Sequence, residues 1–362
     1  MIMTSLFCTR KENWLSNNFI IGMLLLFFTY SPLSLAKGPG NCQNINGVPT
    51  DFHFNYDTTL TDPLQNQAGL VFPSAYTWLV SGNYQAICDW TDETTGATYY
   101  FSADSGGNRQ GHSGSGGVWY YLDANLDYAA RIDVYDANTG GFKLYSVPFT
   151  DIENHVTHNN TPSTIIDLAT GGTGQVSLYF SRPFVGKHII KQTTIARLYM
   201  RPDRSTFNGS PIATVSMSGT VTVPQSCEIN AGQVINVDFG NLYPNSFHTK
   251  GAKPVGFLDR KVDFTLQCSN ISNGVLVSLE FNGTGIASDS TALKTSNADI
   301  AVRITDSAGN TIGVNRGETP VSFDYLNQRG TSSIKLYPFN TTGNNPQEGT
   351  FSGQVTVGVD IQ

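Results

Sequence analysis

Alternation of apolar and polar side chains at every second residue dominates the carboxyl-terminal part of the chain and leaves little choice of fold class. The apolar sets are Ile235, Val237 and Phe239; Val262, Phe264, Leu266 and Cys268; Val275, Val277, Leu279 and Phe281; and Ile300, Val302 and Ile304. A period of two gives each segment one apolar face, as in a half-buried strand. Asn282-Gly283, Ala308-Gly309-Asn310 and Gly343-Asn344-Asn345-Pro346 lie between the segments and suit turns. Short strands joined in this way predict a β-sandwich. The final segment repeats the pattern, with Phe351, Val355, Val357, Val359 and Ile361 on one face and Gln354, Thr356, Asp360 and Gln362 on the other, and the sequence stops there. An immunoglobulin-like sandwich carries one more strand, so an apolar groove lined by Phe351, Val355, Val357, Val359 and Ile361 is expected to take a strand from another chain.

The preceding part is also mainly β, with runs from Ala97 to Phe101, Val118 to Leu122, Ala130 to Tyr135 and Gln175 to Phe180 between glycine-rich loops. Near Val223 an alternating segment meets Pro224 and then Cys227, and the texture changes. We therefore expect an all-β chain of two β-sandwich domains, 37–222 and 223–362, since one core rarely serves this length.

At the amino terminus, Arg10 and Lys11 precede an apolar run from Phe19 to Phe28 and then Ser34-Leu35-Ala36, the pattern of a signal peptide cleaved after Ala36. The run is well short of the roughly 20 residues a bilayer requires, and no later segment approaches that length, so no membrane span is expected after cleavage. Losing Arg10, Lys11 and Glu12, two positive charges and one negative, moves the formal net charge from −7 to −8. Without a basic tract the surface does not suit nucleic acid or anionic membranes, which bind through clustered Lys and Arg.

Cys8 leaves with the leader, and Cys42, Cys88, Cys227 and Cys268 remain. Four cysteines in an exported chain predict two disulfides. The wide gap between Cys88 and Cys227 favours Cys42 with Cys88 and Cys227 with Cys268, one bridge per domain. A loop of roughly 40 to 50 residues closed by each bridge is worth about 4 kcal/mol on the chain-entropy estimate. No CxxC spacing supports a zinc site instead, and no cofactor is expected.

The stretch from Cys227 through Val237-Asp238-Phe239-Gly240 and Cys268 to Gly349-Thr350-Phe351-Ser352-Gly353-Gln354-Val355 resembles the pilin domains of chaperone-usher fimbriae. The additional domain in front resembles the two-domain tip adhesins of that family, with Tyr84-Gln85-Ala86-Ile87-Cys88, Trp119-Tyr120-Tyr121-Leu122 and Val147-Pro148-Phe149 as its similar segments. The resemblance implies a lectin-like domain followed by an incomplete, immunoglobulin-like pilin domain lacking its last strand. It also implies export through the periplasm, a pilus chaperone, an outer-membrane usher and the donor strand of an adjacent subunit as partners, and a host glycan or other surface receptor. Lys37-Gly38-Pro39-Gly40-Asn41 has neither the length nor the apolar pattern of a donor arm, which suits a subunit at the fimbrial tip.

Trp90, Trp119, Tyr120, Tyr121, Asp123, Asn125 and Arg131 are the candidate ligand-binding residues. Aromatic rings offer an apolar face to a pyranose, and Asp, Asn or Arg can engage its hydroxyls. Alternation places Trp119 and Tyr121 on one face and Tyr120 and Leu122 on the other, so half of the set is expected to be core. His112, His155 and His158 form a weaker alternative as zinc ligands. Asp104-Ser105-Gly106-Gly107 resembles a protease nucleophile segment, but Ala103 replaces the leading glycine, and Gly111-His112-Ser113-Gly114-Ser115 lacks the second glycine of a nucleophile elbow. Asp123, Asp127, Asp133 and Asp136 could supply a glycosidase acid pair, yet surface aspartates near turns are far commoner. A non-enzymatic reading follows, with a purely structural fimbrial subunit and a secreted β-sandwich hydrolase as the alternatives.

Overall fold

The computed structural model describes residues 42–88, 94–112, 117–160, 164–202 and 209–362; the expected signal peptide, the stretch Lys37 to Asn41 and Trp90 lie outside them. These residues form strands and connections, with 3-10 turns at Pro63–Gln65, Asn230–Gly232 and Pro244–Ser246. The all-β expectation holds.

Two larger sheets face each other before Val223. One orders Phe149–Glu153, Tyr100–Asp104, Gly186–Arg201, Ala213–Val223 and Thr50–Thr59. The other orders Val71–Leu79, Thr173–Phe180, Leu126–Asp136 and Tyr120–Tyr121, with Gly141–Ser146 also on Leu126–Asp136. Alternation supplies the core between them: Phe52, Phe54 and Tyr56 from one sheet meet Leu126, Tyr128, Ile132, Val176 and Leu178 from the other. Phe54 stacks on Trp78 at 4.9 Å between ring centroids, and the Trp78 indole donates to the Gly171 carbonyl at 3.0 Å. Thr50–Thr59 and Ala213–Val223 run parallel, and Gly219 lies opposite Tyr56 so closely that a Cβ there would meet the Tyr56 carbonyl oxygen at 1.9 Å.

Strands from Ser226 onward pair among themselves. A large sheet runs Ser226–Ile229, Arg260–Ser269, Arg329–Asn340, Ile300–Asp306 and Asp289–Lys294, and a smaller one orders Asn315–Pro320, Val277–Gly283 and Val355–Ile361. Their apolar faces enclose a separate cluster that includes Phe264, Leu266, Leu279, Phe281, Val302 and Ile304. The bridges are Cys42–Cys88 and Cys227–Cys268, and each joins directly opposed residues of antiparallel neighbours.

Four local expectations are corrected. Ile235, Val237 and Phe239 form no strand, although Val237 and Phe239 pack against the core; the alternation is real but no neighbouring strand among the described residues completes a ladder. Asn282 and Gly283 end the strand Val277–Gly283 instead of turning, because both are paired with the terminal strand. The Val118 to Leu122 run contributes only Tyr120–Tyr121 as strand, and the Ala97 to Phe101 run is broken at Thr98 and Tyr99.

Candidate functional site

Among the described residues the terminal strand Val355–Ile361 is paired along one edge only, with Val277–Gly283, placing Val357 opposite the fully buried Phe281. Val355, Val357, Val359 and Ile361 pack against the core yet remain half-exposed. Phe351 precedes the strand and stacks on Phe239 at 6.1 Å, with planes 10° apart, and Phe239 also meets Phe257 at 6.1 Å. Val237 and Phe239, which lie outside any strand, and the terminal strand thus present half-covered apolar side chains of the same core. Backbone and side chains there have the two properties that strand addition exploits, an open edge and an apolar row at every second residue.

In the other part of the chain, strand Leu126–Asp136 turns Leu126, Tyr128, Ala130, Ile132 and Val134 into the core. Its opposite face carries Asp127, and the register aligns Tyr121, Asp127 and Tyr179 across three neighbouring strands. Asp127 is 2% exposed. It accepts from Ser181 Oγ at 2.9 Å and is bonded to His112 Nε2. The His112 ring lies nearly parallel to Tyr179, centroids 3.8 Å apart and planes at 17°. Trp119 packs 5.9 Å from Tyr179, and its buried indole Nε1 has no hydrogen-bond partner among the described residues.

The residues singled out by sequence fall into distinct roles. Tyr120 and Leu122 enter the core as alternation predicts, whereas Trp119, on the other face, is 1% exposed and Tyr121 46% exposed. Asp123 Oδ1 caps the following turn by accepting from the Asn125 and Leu126 amides, and its other oxygen bonds His188 at 2.9 Å. Asn125 donates to the Pro183 carbonyl at 3.2 Å. The polar groups of both therefore fasten loops together. Arg131 opposes Gln175 and Ser146, and its buried Nε has no partner among the described residues.

His112 and His155 bind different carboxylates, Asp127 and Asp136, and His158 lies in the short strand His158–Asn160. Among the described residues no group of three His, Cys, Asp or Glu side chains could hold a metal. Ser105 shares a 2.6 Å hydrogen bond with Tyr128 OH, not with an imidazole, and Asp104 engages Arg197. Burial pushes the Tyr128 hydroxyl up to about 12, opposed by its bond to Ser105. The hydrogen bond from Lys143 holds the Asp136 carboxyl below its ordinary value, the opposite of what a glycosidase general acid requires. Tyr179, Ser181 and Asp127 were not singled out as ligand residues, because only strand register brings them to His112.

Comparison with known proteins assigns this architecture. Residues 215–362 match the family model for fimbrial protein. Protein LpfD of Salmonella typhimurium is 30% identical over 333 residues, covering 86% of this chain and 89% of that protein. The probable minor fimbrial subunit LpfD of Escherichia coli O157:H7 is 29% identical over 337 residues, 89% of this chain and 93% of that protein. The type 1 fimbrin D-mannose specific adhesin of Salmonella typhimurium is 25% identical over 345 residues, 92% of this chain and 96% of that protein. The chain belongs to the fimbrial protein family and is a surface pilus component.

Proposed function

We propose that the chain is a fimbrial tip adhesin in which 37–222 recognise a receptor and 223–362 dock into the pilus by accepting a donor strand. The observation that carries the docking half is the terminal strand, with one open edge and a half-exposed row of Val355, Val357, Val359 and Ile361. A β-strand added at that edge would satisfy its free backbone groups and cover the apolar row together. On this reading the periplasmic chaperone supplies the strand first, the outer-membrane usher then orders the exchange, and the adjacent subunit supplies it finally. The receptor is a glycan, a reading supported by the relative whose name records D-mannose specificity. A pilus subunit of this kind holds and attaches, and performs no catalysis.

The test is co-purification from periplasmic extract with a co-expressed pilus chaperone, followed by a glycan array probed with the purified complex. Stable monomeric protein that captures neither chaperone nor subunit would overturn the docking half. An array without signal would leave a structural fimbrial subunit as the better description.

A further inference from the structure

We infer that Tyr179, Asp127, Ser181 and Trp119 form a binding site for a neutral pyranose, and that the His112 side chain occupies it as an intramolecular plug. The inference rests on the adhesin reading and names its site. Three observations converge on it.

The first is the stacking of His112 on Tyr179, 3.8 Å between centroids at 17°. A pyranose presents its C–H face to an aromatic ring in the same manner, so the imidazole stands where a sugar ring would stack. The second is Asp127. A carboxylate this buried demands hydrogen-bond donors, and here they come from Ser181 Oγ and His112 Nε2. Both donors meet Asp127 Oδ2, so if His112 withdrew that oxygen would keep Ser181 and have room for one more donor, which a sugar hydroxyl supplies. The third is Trp119, whose buried indole N–H has no acceptor among the described residues, while its ring lies 5.9 Å from Tyr179. A second ligand hydroxyl would be an acceptor for it.

The plug can leave. The His112 side chain is 26% exposed, and the preceding Gly111 is so open that an added Cβ would meet nothing within 4 Å. Ligand charge follows from the same groups: a buried carboxylate in a chain of formal net charge −7 repels acidic sugars, which leaves neutral hexoses.

The full chain would be titrated with methyl α-D-mannopyranoside, methyl β-D-galactopyranoside and methyl α-L-fucopyranoside, read by saturation-transfer NMR. At least one should bind. His112→Ala removes no proposed ligand contact and should tighten binding about tenfold, as expected when the plug leaves the open form at roughly one part in ten. His112→Phe keeps an aromatic ring for Tyr179 but no donor for Asp127, so its affinity should fall between those of wild type and His112→Ala, and Tyr179→Ala and Asp127→Asn should abolish binding. Thermal melting identifies any variant that fails to fold, and the partly exposed His112 pair carries the test if Asp127→Asn does. Equal affinity in wild type, His112→Ala and His112→Phe overturns the site while leaving the adhesin reading intact. Absence of binding by both wild type and His112→Ala overturns it too, and the glycan array then judges the adhesin reading separately.

Discussion

Replacing Val357 by aspartate should remove strand capture while leaving the 37–222 part of the chain untouched. Val357 sits mid-strand opposite Phe281, with Val355 and Val359 beside it on the core-facing row. Because the residue is half-exposed, the carboxylate retains some water before capture, and the unpaired chain should lose only about 1–2 kcal/mol. Covering the row with a donor strand then removes that water. The apolar transfer of the valine side chain, about 1.5–3 kcal/mol, is lost, and an unpaired charge is buried at several kcal/mol. Even about 4 kcal/mol corresponds to roughly a thousandfold weaker capture. Thr356 offers the control, since it is exposed and opposite Asn282, so aspartate there should change stability by no more than about 0.5 kcal/mol. Co-purification of each variant with the chaperone measures the difference. Equal recovery of Val357→Asp and Thr356→Asp would refute the assignment of the inward row and of the open edge.

Other perturbations address the frame. Cys227→Ser should cost about 2–5 kcal/mol in urea unfolding of the carboxyl-terminal sandwich; a cost below 1 kcal/mol would show that the bridge adds little to the ladder it spans. Gly219→Ala should be among the most damaging single changes, about 3 kcal/mol or more by thermal melting, because its Cβ has no room against the Tyr56 backbone. Hydrogen bonds from Arg303 and then Thr291 hold the Asp289 carboxyl down at about 2. That stabilisation is therefore present above the ordinary carboxylate range and fades as pH falls toward 2, and Arg303→Ala should move the Asp289 NMR titration upward. An unchanged titration would mean that the ion pair does not form in solution.

Strand segments with strong alternation were legible because burial of one face specifies both period and direction. Val262 to Cys268 and Ile300 to Ile304 became strands Arg260–Ser269 and Ile300–Asp306 on those grounds. Ile235, Val237 and Phe239 show the limit of the rule, since alternation reports burial and a ladder also requires a neighbour. The faces of Tyr120, Tyr121 and Leu122 were readable too. The burial of Trp119 was not, because it depends on packing against Tyr179, 60 residues away in sequence and set by register with Asp127. Asp123 and Asn125 have the residue types of a sugar site, but Asp123 caps the backbone of the turn after Leu122 and Asn125 ties that turn to the Pro183 carbonyl. The disulfides were readable from spacing alone, since each cysteine pair is confined to one sandwich.

The parallel pairing of Thr50–Thr59 with Ala213–Val223 has a mechanical consequence. Tension pulling on the chain beyond Val223 is directed along the axis of a strand held on both sides, by Thr50–Thr59 and by the antiparallel Gly186–Arg201. The inter-strand bonds lie across that axis, so the load shears them. Every pair from Ala213 with Thr50 to Thr222 with Thr59 must then yield nearly together, instead of opening one after another as in a peeled hairpin. On the proposed adhesin function, load entering through the chain beyond Val223 would thus meet a sheared strand instead of a peeled one.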